Sequence, residues 1–106
     1  MPFEFQVSYI ALFFAGAFLC NCLPHLVAGL QGMPFPTPFA TPWGIGNSSP
    51  LVNFLWGAFN FGAGAYLLLL YPVTIGPTIE CAIVAAGALA LGLYLSAHFG
   101  RVRRGG

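Results

Sequence analysis

The stretch PLVNFLWGAFNFGAGAYLLLLY, residues 50–71, carries no charged side chain from end to end. As an α-helix rising ~1.5 Å per residue it reaches about 30 Å, the thickness of a bilayer's hydrocarbon core. Apolar and polar residues do not alternate along it, so the period-two pattern of a membrane barrel strand is missing. Without water, backbone N–H and C=O groups must pair inside the segment, and a helix achieves that. Two further runs read the same way, from Phe5 to Leu30 and from Thr78 to Phe99. The expected fold class is all-α integral membrane, with three transmembrane helices in one domain over residues 1–106. The expected segments are a first helix at 5–30, an interfacial loop at 31–49, a second helix at 50–71, a third at 77–99 and a basic tail at 100–106.

Composition points the same way. Of 106 residues, 58% are hydrophobic and 5% charged, whereas soluble domains average about 25% charged. The charges are Glu4, Glu80, Arg101, Arg103 and Arg104, with no Lys and no Asp. So few charges cannot cover the surface of a small soluble globule. Disorder requires low hydrophobicity and is excluded. Lacking Lys, the chain offers no Schiff base, and lacking Asp it offers no Ser-His-Asp triad or aspartyl phosphate. No glycine-rich phosphate loop follows a strand, and three Arg at one end make no nucleic-acid footprint. Cys20, Cys22 and Cys81 are an odd number and form no disulfide framework.

Punctuation places the helix ends. Ser48-Ser49-Pro50 opens the second helix with a Ser cap and Pro at the first helical position. Gly76-Pro77 is expected to open the third in the same style. Pro72 and Gly76 bound a short connection, which predicts a tight antiparallel hairpin of helices two and three. Pro24 lies inside the first run and is expected to kink or end it. The loop between helices one and two has four prolines within 33–44, together with Phe35, Phe39 and Trp43, and no charge. It reads as a cover lying at the interface over the helix ends, with those three aromatics as a lid. Arg101, Arg103 and Arg104 serve as a topology anchor and place the C-terminus in the cytoplasm by the positive-inside rule. The expected location is a bacterial inner membrane.

Polar residues within apolar helices are costly and concentrate at contacts or cavities. The first helix carries Asn21, His25, Gly29 and Gly32 at spacings of four, four and three, and the second carries Asn53, Gly57, Asn60 and Gly64 at four, three and four. Each set forms one stripe on its helix. Counted at ~1.5 Å per residue, Asn21 and Asn60 both lie ~14 Å from the shared end of the two helices, while His25 and Asn53 lie nearer it. Asn21 is therefore expected to meet Asn60, and His25 to meet Asn53.

Asn21, His25, Asn53, Gly57, Asn60 and Gly64 are thus the candidate ligand-binding or helix-contact cluster, and His25 is the candidate catalytic residue. Glu80 is a candidate proton carrier, set against its simpler role near a helix N-terminus. Two cofactor patterns are weak. Cys22 and His25 share a helix face but fall short of the four ligands zinc takes. His25 and His98 could offer a haem two axial imidazoles, although their depths differ. No metal site is assigned.

Three functions compete. The first is an accessory or assembly subunit of a larger membrane complex, or a homo-oligomer, whose partners are the lipid bilayer, other membrane subunits or copies of itself. The second is a membrane-embedded enzyme or binding protein for an apolar small molecule such as a lipid, quinone or terpenoid. The third is a channel or transporter, disfavoured because the second helix is wholly apolar over Leu67–Leu70. Nearly charge-free composition favours the first, and no catalytic reaction is assigned.

Overall fold

The computed structural model describes residues 3–105, with side chains from Val7 onward. Met1, Pro2 and Gly106, the ends of the expected domain and tail, lie outside the described residues. The helices are α1 (Phe3–Leu30), α2 (Pro50–Leu70) and α3 (Ile79–Arg103). All three are long and apolar enough to cross a membrane.

Local chemistry explains most of the boundaries. α1 runs unbroken past Pro24, so the proline does not end it. The thiol of Cys22 donates to the carbonyl of Leu19 at 2.9 Å, one turn earlier. Gly32 terminates α1 at φ +69°. The N–H of Met33 returns to the carbonyl of Ala28 and that of Gly32 to Gly29. This pair of bonds is a Schellman cap, and its left-handed residue is one that glycine occupies without a Cβ penalty. α2 opens as its sequence indicates: Ser49 caps it, its hydroxyl accepting from the N–H of Val52, and Pro50 follows at the start of the helix.

α3 departs from expectation at both ends. Its cap is Thr78, whose hydroxyl accepts from the N–H of Cys81. Gly76-Pro77 therefore precedes the helix rather than opening it. At the other end the helix continues through Arg103, so Arg101 and Arg103 form its last turn instead of a tail. Cations in the last turn complement the negative end of the helix dipole, which extends the helix beyond the apolar run.

The largest departure is in packing. α1 packs against both other helices, while α2 and α3 make almost no contact with each other. The expected hairpin of helices two and three is not formed. The reason lies in α1, which offers close contacts on two sides. Gly57 and Gly64 of α2 lie against Leu26 and Leu19. On the other side, a Cβ on Gly87 of α3 would collide with the carbonyl of Phe13, and one on Gly16 with the carbonyl of Val84. Small residues let the backbones approach to van der Waals distance, the main source of attraction between helices in lipid. α1 is thus the spine, and α2 and α3 diverge from it.

The 31–49 loop folds back over this gap. Phe35–Pro36 (β1) pairs antiparallel with Asn47–Ser48 (β2), Phe35 opposite Ser48 and Pro36 opposite Asn47. Between them Thr37 is buried, its carbonyl accepting from the N–H groups of Ala40 and Gly44. The Thr41–Pro42 peptide is cis.

Candidate functional site

The polar stripe of α2 is its buried face: Asn53, Gly57, Asn60 and Gly64 are its buried residues. Asn53 is wholly buried and joins three elements. Its Nδ2 donates toward the carbonyls of Phe35 (2.9 Å), Ser49 (3.1 Å) and Ser48 (3.3 Å). Its Oδ1 lies 2.8 Å from Nδ1 of His25. One side chain therefore ties α1, the loop and the first turn of α2 together. Deeper along the same pair of helices, Asn21 Nδ2 donates to Asn60 Oδ1 at 2.9 Å, and Asn60 Nδ2 donates to the carbonyl of Trp56 at 2.8 Å. The structure thus joins the two pairs that equal depth brings together, Asn21 with Asn60 and His25 with Asn53.

These bonds form one wall of a cavity of about 390 Å³. α1 supplies its floor through Phe14, Ala17, Phe18, Asn21 and His25. Trp56 and Asn60 of α2 line one side, and Leu91, Tyr94, Leu95, His98 and Phe99 of α3 the other. Pro36, Thr37, Pro38 and Gly44 roof it. Because α2 and α3 part here, the cavity is a cleft open between them. Its walls are mostly aromatic and aliphatic, and among the described residues no carboxylate, lysine or arginine lines it.

The loop is held over the cleft from both flanks. Phe35 packs its ring against His25 (5.7 Å between centroids) and Phe99 (4.7 Å). Phe39 meets Trp56 edge-on at 5.1 Å. His98 donates from Nε2 to the carbonyl of Gly44 at 2.7 Å and stacks on Tyr94. Of the three expected lid aromatics, Phe35 and Phe39 therefore touch residues of the cleft, while Trp43 is exposed.

His25 is 2% exposed, and its Nε2 has no hydrogen-bond partner. The indole N–H of Trp56 is buried and also without a partner. The rings of these two residues lie 6.4 Å apart between centroids.

The remaining candidates lie elsewhere. Glu80 sits in the first turn of α3, at the end of the molecule away from the loop. Gly57 and Gly64 are contact residues against α1. Gly29 packs against the backbone of Phe54, and Gly32 ends its helix. Cys22 is bonded to a carbonyl of its own helix. His25 and His98 line the same cleft, each with one ring nitrogen engaged by the protein. Among the described residues no group of three or more His, Cys, Asp or Glu is placed to hold a metal ion.

Sequence reading missed Trp56 as a site residue. The signal was present, since Trp56 lies four residues before Asn60 and three after Asn53 and so borders the same stripe. No family model, curated protein or solved structure matches the chain.

Proposed function

We propose that this is a multi-pass membrane protein that binds a small, largely apolar molecule in the cleft between α2 and α3. Its carrying observation is His25, a ring almost wholly buried at the cleft that keeps one nitrogen unbonded. Helix packing uses Nδ1 alone and gives the second nitrogen no role. A volume of about 390 Å³ falls in the range of small-molecule sites, roughly 300–1,000 Å³. The lateral opening suits a ligand that arrives dissolved in the bilayer, such as a lipid, quinone or terpenoid. Asn21, Asn53 and Asn60 hold the wall in register, and the loop excludes water from the roofed end. The three Arg put that end on the cytoplasmic side, in keeping with a bacterial inner membrane. The proposal is of binding and does not extend to turnover.

A second reading, an accessory or assembly subunit or a homo-oligomer, is favoured by α3. Gly87 is the buried residue along that helix, and its outer face, including Leu89 and Leu93, is exposed. That face suits another membrane subunit or a second copy of the chain.

Solvent extraction of the protein purified from its own membranes separates the two. Binding predicts one apolar compound per chain, released from the wild type and largely lost from Ala17→Phe, which places a ring in the cleft. Release of bulk membrane lipid alone, in equal amounts from both, would contradict the binding reading.

A further inference from the structure

We propose that a second cavity, between the loop and the end of α3, binds the headgroup of an anionic phospholipid, with its phosphate on Arg103. The inference goes beyond the cleft and does not depend on what the cleft holds.

The cavity measures about 410 Å³. Phe35 and Phe99 line both it and the cleft, so this pair of rings is the partition between them. One wall is the last part of α3, through Phe99, Val102 and Arg103. Val102 and Arg103 follow Phe99 by three and four residues and so share its helix face. The other wall is the loop, through Met33, Ile45 and Asn47. Arg103 stands about 6 Å beyond Phe99 along the helix axis. Within one turn, that face passes from an aromatic ring to a guanidinium. Met33, Ile45 and the neighbouring Trp43 are exposed apolar side chains, which suits a loop lying among lipids at the membrane interface. A membrane presents the same order, acyl chains and then phosphates, at the depth where the apolar run of α3 ends.

Charge selects the ligand. Among the described side chains the one carboxylate is Glu80, in the first turn of α3 and thus at its opposite end. Arg103 therefore has no acidic partner among the described residues. Arg101 and Arg104 add two exposed cations at the same end, which outweigh the partial negative charge of the helix C-terminus. A guanidinium takes a phosphate through two parallel N–H bonds. Asn47 is exposed at the cavity and adds a neutral donor. A zwitterionic lipid brings its own cation into this positive field, so a lipid of net negative charge is favoured. A soluble phosphate leaves the apolar part of the wall uncovered, so the lipid is favoured over the free anion.

Native mass spectrometry of the full chain in detergent tests the assignment by counting bound molecules. The probes are phosphatidylglycerol, phosphatidylcholine with the same acyl chains, and glycerol 3-phosphate. The expected result is a first phosphatidylglycerol adduct at roughly fivefold lower concentration than the phosphatidylcholine adduct, the advantage one arginine gives near an anionic headgroup. Glycerol 3-phosphate should give no adduct at the concentrations that saturate with phosphatidylglycerol. Arg103→Gln is expected to remove most of the preference. Arg101→Gln deletes the same charge from a residue two positions past Phe99, on the opposite side of the helix and outside the cavity, and should retain it. Both arginines are exposed, so the fold is kept in each variant. Equal affinity for the two lipids would overturn the proposal, as would a preference that Arg103→Gln leaves unchanged. An equal fall in both variants would replace it with diffuse attraction to the basic end. A glycerol 3-phosphate adduct as tight as the lipid's would replace it with a site for a soluble phosphate ester.

Discussion

Replacing Asn53 by Leu tests the joint between loop, α1 and α2. Leu keeps the apolar bulk, so little cavity is left and the effect isolates the hydrogen bonds. Nδ2 has two hydrogens shared among three carbonyls at 2.9–3.3 Å, so it supplies two full bonds. The contact from His25 at 2.8 Å adds a third. At about 0.5–1.5 kcal/mol net for each bond, the sum is roughly 2–4 kcal/mol. Interhelical bonds measured in one membrane protein average about 0.6 kcal/mol, which favours the lower half of that range. Unfolding of the purified protein by SDS titration in bicelles, followed by circular dichroism, measures the loss directly. Hydrogen exchange across 35–48 should rise in the same variant, because the carbonyl of Phe35 loses its anchor. A loss below about 0.5 kcal/mol with unchanged exchange in the loop would refute the assigned role of Asn53.

Other substitutions probe separate contacts. Gly87→Ala drives a Cβ into the carbonyl of Phe13 and is expected to destabilise by about 1–3 kcal/mol in the same titration. Gly62→Ala meets nothing within 4 Å and should be neutral or stabilising by up to about 1 kcal/mol. Asn60→Leu removes the bond from Asn21 and should cost about 1 kcal/mol, while disulfide cross-linking between cysteines engineered on the outer ends of α1 and α2 shows the pair still packed. His98→Phe keeps the ring against Tyr94 but loses the donor to Gly44. Proteolysis at the loop tip around Trp43 should then speed up, while α1 and α2 stay protected.

The helices were legible because each is a long apolar run of about the twenty residues that a membrane-crossing helix takes. The Ser49-Pro50 start was legible because cap chemistry is local. The Asn21–Asn60 and His25–Asn53 pairs followed from counting residues, since helices joined through one loop share a common depth. The arrangement of the third helix was not legible. A short connection fixes which elements are consecutive, but it does not choose between α3 packing on α2 and α3 packing on α1. That choice was made by backbone approach at Gly16 and Gly87, which no periodicity count weighs. The cleft exists only because α3 chose α1, so its α3 wall of Tyr94, His98 and Phe99 could not be assembled from spacing. The start of α3 was misplaced because Gly-Pro and Thr are both good openers, and the Thr78 hydroxyl won by accepting from Cys81.

Native mass spectrometry of the protein, extracted gently from its own membranes, tests the central proposal most directly. The binding reading requires the 11.2 kDa chain, alone or as a small homo-oligomer, to carry a discrete extra mass per chain that Ala17→Phe loses. The bare chain mass in both proteins, or a large hetero-complex with no such adduct, would contradict it and leave the cleft as a contact surface.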